Sequence, residues 1–440
     1  MTERTLLASI DGQAIGTLHE DQNLWAFEYA DTWLANAGRF ALSPHVPLME
    51  GLQRDGASER PVQWYFDNLL PEEGARALLA RDADLRDISD AFALLEYYGR
   101  ESAGSVTLRK PNDPPAEDLA MRPLSDAELD ARIRDLPAVP LTHDAPKKMS
   151  LAGAQHKLAV VLQGGQLFEP AGQAVSTYVL KPNHPQTDRY PHSVANEWFV
   201  MRLAQRVGLP VPEVERRYVP APVYLVRRFD RRIRRDGLAE RIHAIDGCQL
   251  LNLAPTMKYA MWKLETLLEL AKACRASAPA RLRIFRWLVF CIVVGNGDSH
   301  MKNLSFLVDP HGISLAPHYD LLCDSVYETP GYSNKGRWPD LVEFTGPVAG
   351  VQRYAAFTRQ LVVEAGQALG LTRAAALRLL DELLRQIPAQ ADALLAEIAE
   401  ENQEILADRP NLRATLGGEM QLLRAIRHIV IKEMSPRLAP

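Results

Sequence analysis

The chain has 440 residues, of which 47% are apolar and 24% charged, and a formal net charge of -5. Such a length implies two or three domains with a real core, and such a composition belongs to an ordinary soluble globular protein. The mild acidity gives no general pull toward nucleic acid, which leaves only a local basic patch to act there.

Four cysteines, Cys248, Cys274, Cys291 and Cys323, lie far apart without a C-x-x-C pair. Neither a disulfide framework nor a zinc site is expected from them, and they fit a reducing cytosol. The opening MTERTLLASIDGQ carries no apolar h-region, so no signal peptide is expected. The longest apolar run, Trp287 to Val294, is far shorter than the roughly 20 residues that span a bilayer. These features indicate a cytoplasmic protein of enzyme size with no membrane partner.

From the N-terminus, TLLASI-DGQ-AIGTLHE predicts two strands around a glycine turn. VQWYFDNLLPEEGARALLARD and ISDAFALLEYYG carry helical spacing, and SAGSVTLRK reads as a closing strand. Residues 1–108 are therefore expected to form a small α+β domain. Prolines crowd 109–149, which reads as a linker holding one helix, SDAELDARIRDL, with Ser125 as N-cap and Glu128 closing a capping box.

Beyond residue 150 the rhythm changes. HKLAVVLQGGQLFEPAG, STYVLKP and VYLVRRFDRR are strand-like, and SVANEWFVMRLAQRVGL is an amphipathic helix ending at Gly208. After Tyr259 helices dominate, interrupted by a hairpin, LSFLV-DPHG-ISLAP. A strand-rich piece (about 150–235) followed by a helix-rich one (about 236–440) predicts two lobes around a cleft.

The chemistry concentrates in VGNGDSHMKNL, directly after the most apolar run. Moving the terminal phosphoryl group of ATP needs a cation for the phosphates, oxygens for magnesium and an acid to orient the attacking hydroxyl. Asp298 can accept a hydroxyl proton, Asn303 can turn an amide oxygen to magnesium, and Lys302 can neutralise phosphate charge. The competing structural reading makes Asp298 and Asn303 turn caps. His300 has no second ligand at zinc spacing.

Asp320 ends the hairpin, where it serves either as a magnesium ligand or as an N-cap. Lys181 ends an apolar strand, and Glu197 on the next helix is its candidate partner. SLAGAQHK offers small residues, Ala152, Gly153 and Ala154, that let backbone N–H groups approach phosphate, with Lys157 adding charge. It matches neither phosphate-loop pattern, and no G-x-S-x-G elbow supports a Ser150–His156 hydrolase.

Taken together, MSLAGAQHK, YVLKP, NEWF, VRRFDRR, DGCQLL, NGDSHMKNLSF and APHYDLL resemble the HipA family of serine/threonine-protein kinase toxins. RESAGSVTL is similar to the end of that family's N-terminal domain, so the resemblance runs from about residue 5 to about residue 400. It implies an α+β, bilobal protein-kinase-like fold related to phosphoinositide kinases, with an extra N-terminal subdomain and a helical C-terminal lobe. It also implies ATP and Mg2+ as cofactors.

Under that resemblance Ala152, Gly153, Ala154, Gln155, His156 and Lys157 cradle the nucleotide phosphates, together with Lys181, His300 and Lys302. Arg227, Arg228 and Phe229 form the hinge beside adenine, although position 227 departs from the acidic residue expected there. Asp298 is the catalytic aspartate, Asn303 and Asp320 hold magnesium, Glu197 positions Lys181, and Ser150 is the autophosphorylation site.

The implied partners are a HipB-type helix-turn-helix antitoxin, operator DNA through that complex (hence nucleoid association), and glutamyl-tRNA synthetase as substrate. Phosphorylating that enzyme would stall translation and favour dormancy. The rival readings are a small-molecule kinase of aminoglycoside or lipid type and a non-enzymatic corepressor.

Overall fold

A computed structural model describes residues 3–114, 119–149, 151–333 and 336–440. The chain divides into two compact units that interleave in sequence. The first comprises Met1–Pro185, Arg217–Lys258 and Ser305–Ala316; the second comprises Gln186–Arg216, Tyr259–Leu304 and Pro317–Pro440.

The first unit opens with a five-stranded sheet. Its strands are β1 (Arg4–Ile10), β2 (Gln13–Asp21), β3 (Leu24–Tyr29), β4 (Leu52–Arg54) and β5 (Thr107–Arg109), in the order β4-β3-β2-β1-β5. Alternation drives it: Leu6, Leu18 and Phe27 bury one face. Onto that face pack the helices Pro61–Asp67 and Ala91–Tyr98, with Phe66 5.8 Å from Phe27 and Phe92 edge-on to Trp25. The helical spacing of VQWYFDNLLPEEGARALLARD is realised as two helices, Pro61–Asp67 and Glu73–Asp82. Pro71, between them, cannot donate a helical N–H and instead pairs as an isolated bridge with Gly153.

A second sheet follows, of β6 (Leu119–Pro123), β7 (Leu158–Gln163), β8 (Gln166–Gly172), β9 (Tyr178–Pro182), β10 (Val214–Tyr218) and β11 (Pro222–Arg227), ordered β10-β11-β9-β7-β8-β6. The Pro-rich segment 109–149 thus supplies an edge strand, β6. The helix Asp126–Arg134 in the same segment buries Leu129 in one cluster with Leu158, Leu180 and Leu225. Ser125 caps that helix on the Glu128 N–H, as its sequence predicts. The return arm of the capping box is absent, because the Glu128 carboxylate is drawn to Arg132 and Arg122 instead.

The second unit is helical. The long helix Ser277–Val294 ends in eight consecutive residues, Trp287 to Val294, that are entirely buried. The apolar run in the sequence is therefore a helix enclosed on all sides within this unit. Around it lie Ser193–Arg206, Leu264–Ala273, Arg359–Ala368, the 36-residue helix Arg373–Asp408 and Arg413–Ala425. The mixed α+β class is as the sequence indicates.

Two buried histidines make stability depend on pH. His243 stacks on Phe40, with Nε2 at 2.8 Å from the Leu42 carbonyl, and burial lowers it to about 4. His318 stacks on Trp287 and is lowered to about 3, by burial first and then by the charge of Arg283. Between those values and the ordinary 6.5 the unfolded chain binds protons that the native chain does not. The native state therefore loses ground as pH falls, by about 1.4 kcal/mol per unit for each histidine. His318→Leu is expected to flatten the fall of the urea midpoint between pH 6.5 and 5. An unchanged slope would remove His318 from this account.

Candidate active site

Within the first unit the small-residue loop can be followed from Leu151; Ser150 lies outside the described residues. Gly153 is held by its bridge to Pro71, and the Glu72 N–H faces the Gly153 carbonyl at 3.4 Å. Glu72 is itself fastened by Lys258, whose ammonium is 2.5 Å from its carboxylate. The N-terminal domain thus grips this loop from outside the motif. Lys157 folds back to donate to the Ala152 carbonyl at 2.5 Å, closing the loop on itself, while Ala154 is exposed at its tip. Gln155 and His156 are half-buried; burial lowers His156, and the neighbouring His184 adds to the effect.

Lys181 sits on β9 with only 8% exposure, its ammonium 5.8 Å above the ring of its cross-strand neighbour Tyr224. Arg227 is exposed at the end of β11, and Phe229 is half-buried. Arg228, the middle residue of this stretch, turns its side chain inward. Its guanidinium is buried and bonds Asp230 at 2.9 and 2.7 Å, the Ser102 carbonyl at 2.8 Å and Ser176 at 3.0 Å. Its side chain is thus committed inside the first unit, and its N–H donates to the Thr177 carbonyl at 2.9 Å.

Within the second unit, VGNGDSHMKNL forms a fixed loop. Gly295 closes the apolar helix in the left-handed region at φ 71°, and a Cβ there would sit 2.7 Å from Val430 Cγ1 and 2.9 Å from Ser325 Cβ. Asn296 accepts from the Asp298 N–H at 3.2 Å. The Gly297 N–H donates to Asp324 Oδ1 at 2.5 Å, and a Cβ on Gly297 would approach Asp324 Oδ2 to 2.9 Å. Thr345 ties the loop twice, donating to the Gly297 carbonyl and accepting from the Ser299 N–H, both at 2.8 Å.

On this frame Asp298 receives the Tyr259 hydroxyl at Oδ1, 2.5 Å away. The Asn303 amide nitrogen donates to the Asp298 carbonyl at 2.8 Å, which fixes the direction its amide oxygen faces. The structure therefore joins Asp298 and Asn303, five residues apart, in one turn. His300 and Lys302 are buried in the same turn; Tyr259 stands edge-on to His300, and the Tyr319 hydroxyl donates to the Lys302 carbonyl at 2.5 Å. Asp320 adopts φ 57°, a left-handed conformation that non-glycine residues keep mainly where surrounding structure or function enforces it. Glu197 is buried on Ser193–Arg206.

Two participants lay outside the sequence reading, Tyr259 and Asp324. Enclosure in the protein raises the Asp324 carboxyl to about 7; the Gly297 N–H opposes this and the Asp298 charge adds to it. Its only sequence signal was a second aspartate four residues after Asp320. Among the described residues no group of three or more His, Cys, Asp or Glu forms a metal cage. A divalent cation here would take two protein oxygens, from Asn303 and Asp320, which suits magnesium since it keeps water and phosphate oxygens in its shell.

Comparison with known proteins gives the following. The family model described as HipA-like C-terminal domain matches residues 149–391, and the HipA N-terminal domain matches 6–109. The Sinorhizobium fredii protein Y4mE is 35% identical over 74% of this chain and 79% of its own. The serine/threonine-protein kinase toxin HipA of Shewanella oneidensis is 29% identical over 74% and 76%. Its solved structure, in a complex of HipA, HipB and operator DNA, superposes with a TM-score of 0.73 at 25% identity, covering 98% of this chain and 99% of that one.

Proposed function

The chain belongs to the HipA family of serine/threonine-protein kinase toxins, and on that premise we propose that it transfers the γ-phosphoryl group of ATP to a protein serine or threonine, with Asp298 as the catalytic carboxylate. One observation carries this reading: Asp298 and Asn303 are locked together on a loop held by buried groups. The strained Asp320 supplies a second oxygen donor in the same unit.

Phosphoryl transfer asks little covalent chemistry of a protein, so the roles are positional. Backbone N–H groups of 152–157, with Lys157, Lys181, His300 and Lys302, balance phosphate charge, and Glu197 holds the Lys181 ammonium. The main chain of Arg227 to Phe229 meets adenine. Asp298 accepts the hydroxyl hydrogen bond and then the proton as the oxygen attacks phosphorus. Asn303 and Asp320 would hold Mg2+, which when bound neutralises charge on the β- and γ-phosphates.

Ser150 opens the phosphate loop and is the proposed autophosphorylation site. A phosphate there adds about -1.5 to -2 charges beside bound phosphates and so favours an extruded loop. A HipB-like helix-turn-helix antitoxin and its operator DNA are the proposed partners, by likeness to the Shewanella complex. The proposed substrate is glutamyl-tRNA synthetase, whose modification would halt translation and favour dormancy and persistence. The setting is cytoplasmic, and nucleoid-associated when bound to antitoxin and operator.

The test is incubation with Mg-ATP carrying a labelled γ-phosphate, with and without glutamyl-tRNA synthetase. Label is expected on Ser150 and on the synthetase, and, on the proposal that one molecule modifies another, labelling of Ser150 should accelerate with protein concentration. Phosphorylated chain should bind ATP weakly. Absence of all label would overturn the reading; full ATP affinity after phosphorylation would overturn self-silencing.

A further inference from the structure

Tyr259 belongs to none of the motifs behind the functional reading, yet it makes a side-chain hydrogen bond to the carboxylate of Asp298. The segment carrying it is anchored by Trp262, which is buried, packs edge-on to Phe344 at 5.4 Å and donates from Nε1 to the Ser299 carbonyl at 2.8 Å. The Trp262 N–H turns back to the Tyr259 carbonyl at 3.0 Å. A buried indole thus fixes the segment to the catalytic loop and presents a phenol that is 43% exposed. That phenol ends 2.5 Å from Asp298 Oδ1, and its ring stands at 82° to His300 with centroids 5.1 Å apart.

A carboxylate that must orient a hydroxyl works best when it cannot rotate, since small misplacements of a reacting group cost rate steeply. An O–H donor to one oxygen restrains rotation and favours the ionised form, which is the form that accepts. We propose that Tyr259 is a positioning residue for phosphoryl transfer: its phenol ties Oδ1 of Asp298 and so holds the carboxylate in the orientation that meets the acceptor hydroxyl. This rests on the reading of Asp298 as the catalytic carboxylate.

Tyr259→Phe removes the hydroxyl and keeps the ring beside His300. The readout is steady-state ADP formation by the full chain from Mg-ATP, with thermal unfolding alongside. The variant is expected to lose about tenfold in kcat, the scale of one hydrogen bond to a charged group, with KM for ATP and the melting midpoint held. Because the phenol acts only through Asp298, adding Tyr259→Phe to Asp298→Asn should cost nothing further. Wild-type kcat in Tyr259→Phe, or losses that multiply in the double variant, would overturn the proposal while Asp298→Asn alone shows its expected loss of about 100-fold with measurable residual turnover. Full activity of Asp298→Asn would instead remove the catalytic reading on which the proposal stands.

Discussion

Asp298→Asn is expected to lower phosphoryl transfer by about 100-fold or more while leaving ATP binding largely intact. The loss follows from chemistry: an amide keeps the size of the carboxylate but cannot take the proton of an attacking hydroxyl, and a positioned acid/base group is worth about 10²–10⁴-fold. The loop should survive the change, because an asparagine Oδ1 still accepts from Tyr259 and the main fastenings do not use the Asp298 carboxylate. They are the Gly297 N–H on Asp324, the Thr345 bonds to Gly297 and Ser299, and the Asn303 amide on the Asp298 main-chain carbonyl. ADP formation and calorimetric ATP affinity, measured on one preparation, separate the two effects. Near-normal turnover would end the assignment, and loss of ATP binding together with turnover would show that the loop had collapsed.

The legibility of this fold from sequence varied with the range of the interactions involved. Strands β7 to β9 and β11 were readable because Val, Leu and Tyr alternate between glycine and proline boundaries. The apolar run from Trp287 was readable as the support of a polar loop, since no exposed helix keeps such a face. Strand β6 was not readable: LAMRP is short, mostly exposed and recruited only by pairing with β8, a partner whose register the local sequence does not encode. The bridge from Pro71 to Gly153 was not readable for the same reason, since it is a distant contact.

The site divides along the same line. Asp298, Asn303 and Asp320 stood in one compact stretch and carried a resemblance, whereas Tyr259 and Asp324 act through the fold. Arg228 is the most instructive case. The motif VRRFDRR marked the stretch without showing that this guanidinium and Asp230, two residues later, make a buried pair whose other partners, Ser102 and Ser176, come from elsewhere in the chain.

Those partners lead to Glu101, whose loss should be the most damaging single change to stability. Its carboxylate is fully buried and meets Ser176 at 2.6 Å, Arg241 at 2.7 Å, Arg231 at 3.0 Å, Lys147 at 3.2 Å and Arg228 at 3.4 Å. Burial alone would raise this carboxyl, but Arg241, Lys147, Arg231 and Arg228 together hold it well below the usual carboxylate range. Glu101→Ala leaves four cations with Asp230 as the remaining buried anion, and Asp11 reaches Arg241 from the surface. Removing one partner of a buried ionic cluster costs about 3–5 kcal/mol, because the others stay desolvated and uncompensated. Glu101→Gln, which keeps the shape, should lose nearly as much, since the missing quantity is charge. An exposed pair such as Arg232–Glu240 should yield under about 1 kcal/mol when Arg232 is truncated. Guanidinium unfolding of the three variants decides the matter: a glutamine variant as stable as wild type would mean that Glu101 serves by packing alone. Arg228 and Arg231 flank Phe229 of the proposed hinge, so the same substitution should also weaken ATP binding under conditions where the chain still folds. The sequence RESAGSVTL then has a physical reason to accompany VRRFDRR: one supplies the anion that the other's buried arginines require.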